Sequence, residues 1–135
     1  MPGTNAAIGG GGIHHVALRA RDFDKTVKFY VLGLGFRQAM AWGQGDKRAA
    51  MLDSGDGSCL EVFAGGQDLE PVGGFLHIAL NTTDCDAAIE AARAAGAKVT
   101  MEPKTLTIAS DPPADVRIAF CTGPDGEKIE FFQRL

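Results

Sequence analysis

Four residues of types that bind divalent metal ions occur at equivalent places in two similar stretches of this sequence. His15 begins "HVAL" and His77 begins "HIAL", whereas Glu61 lies in "CLEVF" and Glu130 in "KIEFF". Two neutral imidazoles suit zinc, nickel, iron or cobalt, and two carboxylates offset the charge of a divalent cation. If the fold brings these side chains together, they predict a metal site.

The alternation of apolar and polar residues places all four on one face of the predicted strands. Successive side chains of a strand point to opposite faces, so apolar residues such as Leu18, Val62 and Leu80 are expected to pack against helices. A solvated sheet face often carries polar residues, which explains any one of the four without a metal. Their neighbours on that face, however, are small or apolar, and this combination favours a metal site: Ala17, Phe63, Phe75, Ala79 and Phe132.

The sequence repeats the order strand, helix and three strands. The first copy starts at Ile13 and the second at Phe75, which predicts a duplicated βαβββ unit with modules 13–66 and 73–134 in a single domain over 13–134. Asp22 and Asp84 follow the first strand of each copy at the same offset, and each is expected to cap a helix. The predicted helices cover about 23–32 and 85–95.

Turn signals support the same duplication. "DGSCLEVF" from Asp56 matches "DGEKIEFF" from Asp125, and an Asp-Gly pair favours a tight turn between antiparallel strands.

Pro103–Arg117 is rich in turn formers, so we expect a surface loop there that either connects two strands or acts as a lid carrying Lys104. Residues 1–12 are rich in glycine and lack hydrophobic periodicity, which predicts a flexible leader.

Composition excludes several classes of function. The net charge is −4 and the sequence has no dense Lys/Arg block, so we expect no nucleic-acid partner. The sequence has neither an apolar run long enough for a membrane span nor a secretory signal, which predicts a cytoplasmic protein without a membrane partner. Cys59, Cys85 and Cys121 are odd in number and are expected to be reduced thiols. Alternation predicts that Cys59 and Cys121 face the ligand side.

The sequence resembles the vicinal oxygen chelate superfamily, which includes glyoxalase I, methylmalonyl-CoA epimerase, extradiol dioxygenases and bleomycin- or fosfomycin-resistance proteins. The resemblance rests on "HHVALRARDFDKTVKFYVLGLGF", "CLEVF", "LHIAL" and "GPDGEKIEFFQ". It implies an α+β fold in which two βαβββ modules form a cupped, mostly antiparallel sheet. Strands 1, 4, 5 and 8 would each supply one metal ligand, at His15, Glu61, His77 and Glu130.

The ligand set resembles that of glyoxalase I. This implies a metal-dependent lyase or isomerase that holds Ni, Zn, Co, Fe or Mn and transfers a proton on a small α-oxo or hemithioacetal substrate, with the metal stabilising the enediolate. Glu130 is the better candidate for the catalytic base, and Glu61 can act on the other face of the carbon. The resemblance also implies a homodimer.

Three alternatives remain open. A thioester epimerase of the same superfamily usually has glutamine at the place of Glu61, and an extradiol-type dioxygenase keeps only three ligands. A metabolite- or drug-binding resistance protein would use the sheet without catalysis and generally lacks the ligands.

The choice between the two adjacent histidines depends on the register of the first strand. If that register shifts by one, His14 replaces His15 as a ligand.

Candidate substrate-binding residues lie on the ligand face. Arg19 stands where the family often places an arginine for a glutathione carboxylate, and Phe63 and Phe132 follow the two glutamates by two positions. Two glycines depart from the glyoxalase pattern: Gly65 stands where asparagine is typical, and Gly73 where some members have arginine. Trp42 either lines the pocket or packs against an edge, and packing is favoured.

Overall fold

The computed structural model describes residues 4–33, 35–66, 74–123 and 128–135, so Gly73 and the predicted turn at Asp125 lie outside the described residues. The elements are β1 (Gly10–Arg19), α1 (Phe23–Lys28), β2 (Arg37–Trp42), β3 (Ala49–Asp53), β4 (Cys59–Phe63), β5 (Phe75–Thr82), α2 (Cys85–Ala94), β6 (Lys98–Ile108), β7 (Ala114–Thr122) and β8 (Lys128–Arg134). The order βαβββ occurs twice, which confirms the predicted α+β fold. No described helix has the length and apolar character needed to cross a bilayer.

The chain divides into two compact units. The first unit contains His15–Leu76 and Ala109–Pro113, and the second contains Met1–His14, His77–Ile108 and Ala114–Leu135. The predicted domain over 13–134 and its module boundaries at 13–66 and 73–134 stay predictions.

Four strands form the sheet of the first unit, in the order β2-β3-β4-β1. β1 and β4 are parallel, whereas β3 pairs antiparallel with both β2 and β4. Leu18, Leu52 and Val62 are buried on one face, where Val27 and Tyr30 from the helical segment pack against them. This packing fixes the opposite face as the one that carries His15 and Glu61, as the alternation predicts.

The second unit repeats this arrangement with the order β5-β8-β7-β6. β5 and β8 are parallel, and the other neighbouring pairs are antiparallel. Ile89 of α2 is buried in a core with Phe131 and Cys121, against which Leu80 packs. Cys121 is paired in register with Ile129, so it faces the helix, and the prediction that it faces the ligand side is wrong.

Both helices begin at the predicted aspartates. Asp22 accepts a hydrogen bond from the Lys25 backbone N–H and Asp84 accepts one from the Ala87 N–H, each at 3.0 Å. The second helix ends within one residue of its predicted end. The first is α-helical to Lys28 and continues as a π-helix over Phe29–Gly33, so its predicted extent to about residue 32 is confirmed while the helix type changes after Lys28.

The segment Pro103–Arg117 is mostly strand rather than loop. β6 and β7 form an antiparallel hairpin in which Leu106 pairs with Val116 and Ile108 with Ala114. Only residues 109–113 connect the two strands. Pro103 is accommodated because β6 is an edge strand with an irregular register near this position. The prediction of a long loop is therefore wrong.

The glycine-rich start of the chain is attached to the second unit. Asn5 forms a bridge with Gly10, and the Thr83 backbone N–H donates to the Gly9 carbonyl at 2.7 Å. Ile8 packs against the core beneath α2. β1 begins at Gly10, inside the segment that we predicted to be a flexible leader over 1–12. These contacts hold residues 5–10 in place in the structure.

Candidate metal centre

The first unit brings His15 and Glu61 together. His15 lies on β1, and Glu61 on the neighbouring parallel strand β4 is opposite Ala17. Because His15 precedes Ala17 by two residues on the same face, the His15 and Glu61 side chains are diagonal neighbours across the two strands. His15 Nε2 lies 3.4 Å from Glu61 Oε1. The two residues are 1% and 7% exposed. Because Ala17 is small, it leaves the space in which the imidazole and the carboxylate meet.

The second unit brings His77 and Glu130 together in the same way. Glu130 on β8 is opposite Ala79 on β5, two residues after His77. His77 Nε2 lies 3.0 Å from Glu130 Oε2, and both side chains are more than 90% buried. The ring of Phe120 meets the His77 ring edge-on, with the ring centroids 5.4 Å apart. An alanine again separates the two ligand-type residues.

Each pair fits one edge of a metal coordination sphere. With metal–ligand bonds of about 2.1 Å, adjacent ligand atoms are about 3.0 Å apart in octahedral geometry and about 3.4 Å apart in tetrahedral geometry. The two observed separations, 3.0 and 3.4 Å, match these values. Buried carboxylates need a compensating charge or hydrogen bond, which a divalent cation supplies. Both pairs are therefore chemically suited to hold part of a metal site.

His14 is less suited to be a ligand than its neighbour. Its ring stacks on Phe132 in the second unit, with the centroids 4.0 Å apart and the planes inclined by 27°. His15, by contrast, faces the carboxylate of Glu61. The register of β1 therefore favours His15, which is the residue predicted from the match between "HVAL" and "HIAL".

The predicted substrate residues differ in exposure. Arg19 and Phe63 are half-buried side by side, with the guanidinium carbon 5.7 Å from the ring centroid. Arg19 Nη1 also donates to the Ala64 carbonyl oxygen at 2.9 Å. Phe132 is only 3% exposed. The role of these three residues in substrate binding stays a prediction, and Arg19 and Phe63 have the more accessible surface.

Cys59 and Cys85 differ in burial. Cys59 is half-buried beside Asp53 in the register of β3 and β4, and burial raises its pKa. Burial raises the pKa of Cys85 to about 11. Cys59 is opposite His15 in the register of β1 and β4, so it lies on the ligand face, as the alternation predicts.

One neighbour of Glu61 was not predicted from the sequence. Met51 lies directly opposite Glu61 and is 1% exposed. Trp42 on the edge strand β2 meets Phe63 edge-on, with the centroids 6.4 Å apart, in agreement with the favoured prediction that it packs at a sheet edge. The alternation within β3 could have identified Met51, whereas the place of Trp42 depends on a register irregularity in β2.

The chain matches a known family model over most of its length. Residues 12–131 match the model described as the Glyoxalase/Bleomycin resistance protein/Dioxygenase superfamily. A lactoylglutathione lyase of Haemophilus influenzae is 35% identical over 128 residues, which cover 90% of this chain and 91% of that protein.

Solved structures of epimerases share the architecture. The methylmalonyl-CoA epimerase of Mycobacterium tuberculosis matches with a TM-score of 0.75 at 22% identity, over 97% of this chain and 92% of that chain. This likeness concerns the fold alone. A Streptomyces coelicolor methylmalonyl-CoA epimerase in complex with 2-nitronate-propionyl-CoA is 28% identical, with a TM-score of 0.64 over 90% of this chain and 95% of that chain. With its duplicated βαβββ order and the family match, the chain belongs to the glyoxalase/bleomycin resistance protein/dioxygenase superfamily.

Proposed function

We propose that this protein is a metal-dependent lyase or isomerase of the glyoxalase I type. The observation that carries the proposal is the duplicated pairing of a buried histidine with a buried glutamate, one pair in each unit. The similarity to lactoylglutathione lyases supports the same activity. The substrate class would be a small α-oxo compound or its hemithioacetal.

The two pairs would hold one divalent ion between them. His15, Glu61, His77 and Glu130 would be its ligands, and their mixed nitrogen and oxygen set suits Ni, Zn, Co, Fe or Mn. A bound cation of this kind draws electron density from the oxygens of a substrate and makes the neighbouring C–H more acidic.

The glutamates would move the proton. The Glu130 carboxylate would accept it from one face of the reacting carbon, and Glu61 could act from the other face. Burial of both carboxylates keeps bulk water away from the transferred proton. The histidines would hold the site without exchanging protons.

We further propose that the protein works as a cytoplasmic homodimer.

Metal analysis combined with turnover tests the proposal. The purified protein would be assayed with the methylglyoxal–glutathione hemithioacetal before chelation, after chelation, and after addition of Ni²⁺, Co²⁺ or Zn²⁺. We expect chelation to abolish turnover and one of these ions to restore it. If no divalent metal supports consumption of the adduct while the protein still binds the metal, the glyoxalase activity is excluded and the metal site is retained.

Epimerisation of a carboxylic-acid thioester is the second candidate. It is favoured by the 28% identity to the Streptomyces coelicolor methylmalonyl-CoA epimerase. The glutamate at position 61 weighs against it, because glutamine is usual there in that branch of the family. Exchange of the α-hydrogen of methylmalonyl-CoA in D₂O would test it: exchange faster than turnover of the hemithioacetal would make the epimerase the better assignment.

A further inference from the structure

Phe120 contacts the buried pair of the second unit from a third strand. β8, which carries Glu130, lies between β5, which carries His77, and β7, which carries Phe120. Glu130 is directly opposite Phe120 in the register of β7 and β8. The His77 and Phe120 rings have their centroids 5.4 Å apart and their planes inclined by 83°. The two rings therefore meet above β8, on the ligand face, beside the carboxylate of Glu130.

This contact limits the positions open to the His77 imidazole. Nearly perpendicular aromatic rings at this separation attract each other, and a phenyl ring on a strand has few rotamers of its own. If the His77 ring turned away from Glu130, it would lose the contact with Phe120. The contact thereby holds His77 Nε2 at 3.0 Å from Glu130 Oε2.

The first unit has a flexible side chain at the equivalent place. Met51 on β3 is opposite Glu61, as Phe120 on β7 is opposite Glu130. A methionine side chain has three rotatable bonds and adapts its shape to its neighbours, so it constrains a carboxylate less than a ring does. The nitrogen–oxygen separation between His15 and Glu61 is 3.4 Å, against 3.0 Å in the second unit. The pair of the first unit is thus the looser of the two.

We propose that Phe120 is a positioning residue of the candidate metal centre, which fixes the His77 imidazole in the orientation that binds the ion. The His77–Glu130 pair is then oriented before the ion arrives, whereas the His15–Glu61 pair adjusts to it. Side chains that orient a metal ligand typically change metal affinity by about 10- to 100-fold. The role in metal binding rests on the proposed function, but the orientation of His77 can be measured without a metal.

Matched leucine variants test the difference between the two units. Phe120→Leu and Met51→Leu each place the same side chain opposite a glutamate. Calorimetric titration of the chelated full-length protein with Co²⁺ should show an affinity about tenfold weaker for Phe120→Leu and nearly unchanged for Met51→Leu. Phe120→Tyr retains the ring and should restore the wild-type affinity. The visible absorption of bound Co²⁺ depends on coordination geometry, so it should change in Phe120→Leu and stay unchanged in Phe120→Tyr.

NMR of the chelated protein would measure the orientation of His77 directly. The Hα–Hβ couplings of His77, assigned by comparison with His77→Gln, report whether its side chain occupies one rotamer. We expect one rotamer in the wild-type protein and in Phe120→Tyr, and averaging over several rotamers in Phe120→Leu. If Phe120 only filled space in the sheet, its replacement would lower stability in urea without this averaging.

The two measurements separate failure of this proposal from failure of the proposed function. If the wild-type protein binds no divalent metal, the metal-dependent function fails, and the couplings of His77 alone decide whether Phe120 orients it. Unchanged couplings in folded Phe120→Leu, or equal losses of Co²⁺ affinity in the two leucine variants, would overturn the proposal. Phe120→Met gives the second unit the side chain that the first has at this place, and it stands in if Phe120→Leu does not fold.

Discussion

The two units place their ligand-type residues alike but pack them differently. In both, an alanine opposite the glutamate leaves room for the histidine, and Ala17 and Ala79 are each fully buried. On the other side of the glutamate, the first unit has Met51 and the second has Phe120. The duplicated part is thus the ligand geometry, whereas the surrounding side chains have diverged.

The helices show the same divergence. α2 runs over ten residues and buries Cys85, Ala88 and Ile89, whereas α1 has six residues, none of them fully buried. In the first unit, half-buried Val27 and Tyr30 take the place of a continuous buried helix face. The second unit therefore has the more completely buried helix contact.

Replacing each glutamate separately should give the largest effect. We expect Glu130→Gln to lower turnover of the hemithioacetal by about 10²–10⁴-fold, because it removes the proposed base. Glu61→Gln should lower it less. Steady-state kinetics at saturating metal, with metal content measured for each variant, would check this ranking. Near wild-type turnover of Glu130→Gln would remove that residue from the mechanism.

Truncating a core side chain should lower the free energy of unfolding more at α2 than at α1. Ile89→Ala should lower the free energy of unfolding by about 2–4 kcal/mol, because Ile89 is 1% exposed and its loss leaves a cavity. The matched change Val27→Ala removes half-buried methyl groups and should cost about 1 kcal/mol. Urea unfolding would measure both. Equal losses would mean that α1 is as firmly packed as α2.

Removing the helix caps should have a smaller effect. Asp22→Ala and Asp84→Ala each remove an acceptor for a free backbone N–H and should cost about 1 kcal/mol. Asn is the matched control, since its side-chain oxygen can still accept this hydrogen bond. Thermal unfolding of the four variants would check the expectation. An asparagine variant as unstable as its alanine counterpart would show that the negative charge, rather than the hydrogen bond, provides the stabilisation.

The smallest expected difference between the two units is in the rate at which their cysteines are labelled. With a pKa of about 11 for Cys85, about one thiol in a thousand is ionised at pH 8, and this fraction rises tenfold per pH unit until the pKa is reached. Half-buried Cys59 should therefore react with iodoacetamide before buried Cys85. Peptide mass spectrometry after timed labelling would show the order. Faster labelling of Cys85 in the native protein would mean that α2 opens readily.

The duplicated order and both helix starts were predictable because they depend on local signals. The repeat of "HVAL" as "HIAL", the capping aspartates and the Asp-Gly pair after Asp53 are each readable within a few residues. The pairing of His15 with Glu61 and of His77 with Glu130 follows from strand alternation together with parallel register, and alternation alone gave the correct face.

Features that depend on contacts between distant strands were not predictable. The prolines in Pro103–Arg117 indicate a loop. Leu106 and Ile108 nevertheless lie in a strand, because they pair with β7 and pack against Val116. The face of Cys121 follows from its pairing with Ile129, and the neighbours of Trp42 follow from the irregular register between Gln38 and Met40. A single strand contains no signal for its partner's register.

Metal stoichiometry tests the central claim most directly. The claim is that the pair from each unit contributes to the same ion. Titration of the chelated protein with Co²⁺, followed by calorimetry and by cobalt absorption, should give one ion per chain. His15→Ala and His77→Ala should each abolish this high-affinity site, although they lie in different units. If either variant keeps a full-strength site, or if the wild-type protein binds two ions independently, the account of a shared centre is contradicted.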